Sequence, residues 1–282
     1  MQKLVVCLCA YLIVACSFKA VTAGEANSSV DELRVANYIN NLYHQIDFSN
    51  CEHVSYDVFA AACKGYLNLR NAGKLNNEKE VVTICDMSRG STEKRMWVID
   101  LTARRVLFNT YVAHGQGTGE DCAQSFSNNF DSHQTSLGFY VTAGTYSGDH
   151  GLSLKLNGMD NGYNDAAMDR GIVVHGADYV SDKFITENNR LGRSWGCPAV
   201  PEPLKIPIIN AIKEGTCLFI YFPEHNYMAS SFWLNRKVSA LPEGSIYDDV
   251  FAKSIKPACK QRVIQYVNNG KVDSTVVVPI SN

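Results

Sequence analysis

Between Thr83 and Phe222 the chain consists of short β-forming runs separated by glycine turns, and this texture restricts the fold more than any other feature. Arg95-Met-Trp-Val-Ile-Asp100 and Arg105-Val-Leu-Phe-Asn-Thr-Tyr-Val-Ala113 flank Thr102-Ala-Arg104 and read as a hairpin. Leu137–Thr142, Leu152–Leu156, Gly171–His175 and Cys217–Phe222 add further strands, and Asp160-Asn-Gly162 is a turn signal. Only Leu204 to Lys213 has a helical pattern within this zone. Strands at this spacing point to a mainly β, sandwich-like domain over residues 83–223.

The flanks differ in texture. From about Ser28 to Lys74, a helical extension over 28–78, Ser29 and Glu32 form a capping box ahead of Leu33, Ala36, Ile39 and Leu42. A second helix is expected from Ser55, with Val58, Phe59, Ala62, Tyr66 and Leu69 on one face and an end near Asn71-Ala-Gly73. The C-terminal extension, 224–282, is polar and turn-rich, with strand signals at Val263–Val267 and Ser274–Val278.

Residues 1–23 read as an export leader: Lys3, an apolar run from Leu4 to Cys16, then Val21-Thr-Ala23 placed for signal peptidase. A lipobox at Leu12-Ile-Val-Ala-Cys16, with Cys16 lipidated, is the competing reading. Both imply an exported chain, in the periplasm or envelope of a bacterium. With 26 basic and 28 acidic side chains there is no electrostatic footprint for nucleic acid. No other segment is long and apolar enough to span a membrane.

Of 10 cysteines, Cys7, Cys9 and Cys16 lie in the leader, and the remainder is odd in number. One thiol therefore stays outside any intramolecular disulfide framework. An oxidising compartment is expected to pair Cys51, Cys63, Cys85, Cys122, Cys217 and Cys259 in a connectivity that sequence does not fix, although Cys217, in an apolar run, reads equally well as a buried free thiol.

The odd cysteine stands out in Arg190-Leu-Gly-Arg-Ser-Trp-Gly-Cys-Pro-Ala-Val200. Cysteine attacks carbonyls as thiolate, so a nucleophilic one needs a base or a positive field. His175 closes a strand and is followed by Gly176, where a side chain can project into a cleft. Backbone N–H groups of Trp195, Gly196 and Cys197 in a glycine turn can converge on an oxyanion. Taken singly, Cys197 reads as half of a disulfide and His175 as a satisfied core residue; together they read as nucleophile and base. Ser194 lacks the G-x-S-x-G setting and reads as a turn residue. A papain-like order is disfavoured because His175 precedes Cys197. His114, in Val112-Ala-His-Gly-Gln-Gly-Thr-Gly119, stays open between a cleft-lining and a structural role; no lysine follows for a phosphate loop. His114, His150, His175 and Cys197 lack the tight spacings of a zinc site, and no metal or organic cofactor is expected.

Val174-His-Gly176, a spacer, and Ser194-Trp-Gly-Cys197 resemble the signature of the L,D-transpeptidase (YkuD-like) catalytic domain. The fuller string is similar to the murein L,D-transpeptidase catalytic domain family. Val112–Gly115, Phe126–Asn128, Ser136–Tyr140 and Gly162–Asp165 also match, so the resemblance covers roughly Met96 to Phe222. It implies a β-sandwich-like cysteine acyltransferase acting on peptidoglycan stem peptides. Cys197 would attack the L-centre carbonyl of a diamino acid, His175 would be base and then acid, and the Gly176 carbonyl would orient its ring. Water as acceptor would make an L,D-carboxypeptidase, and a non-catalytic wall-binding protein is the rival of another class. This chain has Trp195 where members often carry histidine, and Pro198-Ala199 where an arginine often follows. Arg193, Arg190 or Arg170 are candidates to replace that arginine in carboxylate binding, with Ser194 and His114 as further substrate contacts.

Overall fold

The computed structural model describes residues 23–149, 151–242, 261–268 and 271–279. The leader readings, including Cys16, lie outside these residues except at Ala23, and so do His150 and Cys259. The helices are α1 (Ala23–Gln45), α2 (Tyr56–Asn71), α3 (Asp182–Asn188), α4 (Lys205–Ile212), α5 (His225–Ser230) and α6 (Phe232–Asn235). The strands are β1 (Val81–Asp86), β2 (Met96–Asp100), β3 (Arg105–Thr110), β4 (Gly138–Gly148), β5 (Gly151–Gly158), β6 (Val173–Ala177), β7 (Ala199–Pro201) and β8 (Cys217–Tyr221). Two more, β9 (Gln261–Asn268) and β10 (Lys271–Pro279), pair antiparallel where the tail's strand signals fall.

The expected mainly β architecture is present as one eight-stranded sheet in the order β3-β2-β1-β8-β4-β5-β6-β7. β1 lies parallel to β8 and β6 parallel to β7; the other neighbours are antiparallel. The two edges approach each other. Just past β3, the Ala113 N–H donates to the Ala199 carbonyl of β7 at 2.8 Å. A sheet curled this way covers its own edge groups, which would otherwise stay unpaired.

The 95–113 hairpin forms as expected through β2 and β3. β1 has no counterpart in the sequence reading, although it is central and buried at every position. A strand covered on both faces shows no alternation, so Val-Val-Thr-Ile-Cys-Asp carries no period-2 signal.

Ser55 caps α2, its Oγ accepting from the Val58 N–H at 3.4 Å. The capping box at Ser29 is not a helix start: α1 begins at Ala23 and runs through it. Close packing of α2 on the sheet depends on Gly65, where a Cβ would lie 2.0 Å from the Phe139 ring. Phe139 itself stacks on Phe219 at 4.1 Å. One continuous core joins α2, the sheet, α4 and the Tyr227–Leu234 segment. Buried Asp160 holds that last segment, accepting from the Phe139 N–H (2.7 Å), Ser231 Oγ (2.7 Å) and Tyr227 Oη (3.1 Å).

The expected disulfides are not formed among the described residues: Cys51, Cys63, Cys85, Cys122 and Cys217 are free thiols. Burial pushes the Cys63, Cys85 and Cys217 thiols upward, Cys85 to about 12. These three are small core hydrophobes, protonated and shielded from oxidants.

Candidate active site

The site lies where β6 meets the turn leading into β7. In the parallel ladder His175 faces Ala199 and Gly176 faces Val200. Cys197, two residues before Ala199, therefore lies at the level of Val173, whose N–H donates to its Sγ at 3.5 Å. The Gly171 carbonyl lies 3.8 Å from the same sulfur. His175 is buried, and its Nδ1 lies 2.9 Å from the Gly176 carbonyl oxygen. A carbonyl only accepts, so this contact assigns the proton of neutral His175 to Nδ1 and leaves Nε2 as the basic nitrogen. Gly176 packs closely on the Glu202–Lys205 pair: a Cβ there would lie 2.3 Å from Glu202 Oε2 and displace that side chain.

The half-buried thiol is not ionised by its surroundings alone. Burial pushes it above the ordinary cysteine value, while the Val173 N–H and the Arg170 charge pull it back. A proton acceptor is therefore needed to generate thiolate at neutral pH.

The Ser194–Cys197 turn is pinned from within. Ser194 Oγ donates to the Cys197 carbonyl at 2.7 Å and accepts from the Gly196 N–H at 3.1 Å. Thr135 Oγ1 accepts from the Gly115 N–H at 3.0 Å and donates to the Gly196 carbonyl at 3.3 Å. Gly196 sits at φ 119°, and a Cβ on it would lie 2.6 Å from the Gln134 carbonyl. Two sequence expectations change as a result. The Gly196 N–H is committed to Ser194 and does not point at an oxyanion position in this conformation. Ser194 is buried, with its hydroxyl engaged twice, so it shapes the turn instead of touching substrate. No hydrogen bond from the N–H of Trp195 or Cys197 is found among the described residues.

The other expected substrate contacts are also engaged elsewhere. His114 is buried; Arg95 donates to its Nδ1 at 2.8 Å, and its Nε2 lies 3.3 Å from the Gly119 carbonyl. Burial and the Arg95 charge push it down to about 4, so it is a neutral structural residue and not a cleft residue. Arg190 and Arg193 share the Glu120 carboxylate, at 3.0 and 2.6 Å. That pairing leaves neither in position as an open carboxylate fork. Arg170 is bound to neutral acceptors of the 127–136 loop.

Sequence reasoning missed His133. Its ring stacks on Trp195 at 4.8 Å with 3° between planes, and Trp195 keeps 69% of its surface exposed beside Cys197. No motif marks His133; only its φ of 51° sets it apart, and that is invisible in sequence. Among the described residues, no three His, Cys, Asp or Glu side chains gather as a metal site.

The family model of the L,D-transpeptidase catalytic domain matches residues 50–221, more than half of the chain. Among solved structures, an L,D-transpeptidase from Mycobacterium smegmatis is 11% identical, with 51% of this chain and 59% of that one covered and a TM-score of 0.32. One from Mycobacterium tuberculosis H37Rv is 14% identical, covering 51% and 58% at a TM-score of 0.30. L,D-transpeptidase (Yku) from Stackebrandtia nassauensis is 13% identical, covering 68% and 92% at 0.31. The chain spans less than two thirds of the length of the two mycobacterial structures. No curated protein matches. With the match running from Asn50 to Tyr221, through both His175 and Cys197, the chain belongs to the L,D-transpeptidase catalytic domain family.

Proposed function

We propose that the protein is an envelope cysteine acyltransferase that remodels peptidoglycan stem peptides, with Cys197 as nucleophile and His175 as base. The observation that carries this reading is the His175 Nδ1 contact with the Gly176 carbonyl on the strand beside the Cys197 turn. It supports the tautomer with the proton on Nδ1, in which Nε2 is the nitrogen able to take the thiol proton.

In the proposed sequence the proton passes from Cys197 Sγ to His175 Nε2. The thiolate then attacks the L-centre carbonyl of a diamino acid in the donor stem. Its oxyanion is held by the N–H groups of Cys197 and Trp195, the ones not committed within the turn. Collapse breaks the amide bond, His175 returns the proton to the leaving nitrogen, and the terminal D-residue departs. An amine of a second stem attacks the thioester and loses its proton to His175; the C–S bond breaks as the crosslinking amide forms, and His175 returns the proton to Cys197 Sγ. The export leader expected over residues 1–23 would be consistent with a substrate outside the membrane.

The test is intact mass of the full chain after exposure to a carbapenem, and product analysis with tetrapeptide stems. Wild type should gain one adduct and yield crosslinked dimer with the released D-residue; C197S should do neither while remaining folded. Adduct formation in C197S, or no reaction in wild type, would overturn the assignment. Release of the D-residue without dimer would replace transfer by hydrolysis.

A further inference from the structure

Arg170, in the turn before β6, is half-buried. Its Nη1 donates to the Ser127 carbonyl at 2.9 Å and to Ser136 Oγ. Its Nη2 donates to the Gln134 carbonyl at 2.9 Å and to Ser132 Oγ at 3.2 Å. All of these acceptors are neutral, and no carboxylate pairs with Arg170 among the described residues, in contrast to Arg190 and Arg193 on Glu120. With both terminal nitrogens doubly engaged, the fork is closed to bidentate binding of a substrate carboxylate. The charge itself remains uncompensated.

That charge is held against the nucleophile's turn. The Gln134 oxygen that accepts from Nη2 also abuts Gly196, 2.6 Å from where a Cβ would lie. The residue after Arg170, Gly171, presents its carbonyl to Cys197 Sγ at 3.8 Å. We infer that Arg170 is a positioning residue whose fixed, hydrogen-bonded charge stabilises the Cys197 thiolate as the proton moves from Sγ to His175 Nε2.

The electrostatics have the matching sign. Burial raises the Cys197 thiol and Arg170 lowers it; burial lowers Arg170 in turn, and Tyr140 and Cys197 raise it. Arg170 and Tyr179 are the titratable groups coupled to the sulfur, with His175 on the strand beside its turn; Tyr179 is pushed up to about 12 by burial and by Cys197, and stays neutral. Arg170 is the cation among them whose charge does not depend on pH in the working range.

The experiment is the pH profile of iodoacetamide alkylation of the full chain, resolved by peptide mass spectrometry, with exposed Cys122 as the internal reference. R170Q removes the charge. S132D keeps Arg170 and its bonds to Ser127, Gln134 and Ser136, and replaces the Ser132 hydroxyl that accepts from Nη2 by a carboxylate at a half-buried loop position. R170K keeps the charge and loses the fork. R170Q and S132D should each raise the Cys197 midpoint by about one pH unit, roughly tenfold in rate below it, without moving Cys122. R170K should stay within about threefold of wild type. An unmoved midpoint in S132D overturns the inference, even if R170Q does not fold. So does a shift in R170K as large as in R170Q, which would make the arginine a staple only. The inference rests on Cys197 being the nucleophile, yet alkylation requires no peptidoglycan. A normal profile with no carbapenem adduct would therefore sink the transferase reading and leave the field standing.

Discussion

His175 and Ala199 face each other across the parallel β6–β7 ladder, and that register fixes where Cys197 begins relative to the imidazole. Cys197, in the turn two residues before β7, is level with Val173, one alternate position before His175 on β6. A slip by a single residue would move His175 to the opposite face. The Val173 N–H bond to Sγ and the Ala113–Ala199 bridge at the sheet's meeting edges both oppose such a slip.

Removing the base should separate binding from chemistry. In H175A, acylation by a carbapenem is expected to fall by ~10²–10⁴-fold at neutral pH, with the fold retained. The residual rate should climb steadily into the alkaline range, because burial holds the unassisted thiol above its ordinary value. Stopped-flow acylation rates across pH give both readouts. A loss of less than about threefold would remove His175 from the mechanism.

Gly196 carries the turn. At φ 119°, with the Gln134 carbonyl 2.6 Å from where a Cβ would lie, alanine has no room to settle. G196A is expected to cost ~1–3 kcal/mol in a denaturation experiment. Acylation should fall further than the lost stability explains, since the N–H groups on either side of residue 196 move with the turn. Equal acylation rates for folded G196A and wild type would show that the turn geometry does not matter to the reaction.

The sequence made some of this legible and concealed the rest for identifiable reasons. Ser55 and the face Val58, Phe59, Ala62, Tyr66 and Leu69 of α2 could be read because capping and a 3.6 period are local properties. β1 could not, because a strand buried on both faces loses its alternation. At the site, Cys197 and His175 stood out through residue type and glycine context. The roles of His114, Ser194, Arg190 and Arg193 depend on which partners lie nearby in space: the donors Arg95 and Gly196 N–H, and the carboxylate of Glu120 far earlier in the chain. No local pattern encodes those partners.

The α2–sheet contact offers a stability change away from the chemistry. Gly65 lies against the Phe139 ring, which is itself stacked on Phe219 within the core. G65V forces either the helix or the ring aside, and overpacking of this kind costs about 1–3 kcal/mol. A lower denaturant midpoint is expected, together with near-normal acylation of the fraction still folded. An unchanged midpoint would mean that α2 is free to shift on the sheet.

The last expectation concerns acid. Buried His114 is held near 4 by burial and by Arg95, against an ordinary histidine value of 6.5. As pH falls below about 6.5 the unfolded chain takes up a proton that the native chain refuses, so stability drains away until the native pKa is reached. Integrated over that window the loss is roughly 3 kcal/mol. Asp86 and Asp160 are raised by burial and act in the opposite sense, so the informative quantity is a difference between variants. Asparagine at 114 can still offer an oxygen to Arg95 but does not titrate. H114N should be less stable than wild type at neutral pH, yet lose less between pH 6.5 and 4 in denaturant melts. Parallel pH dependence of the two proteins would assign the acid sensitivity elsewhere and return His114 to the role of an ordinary, solvated histidine.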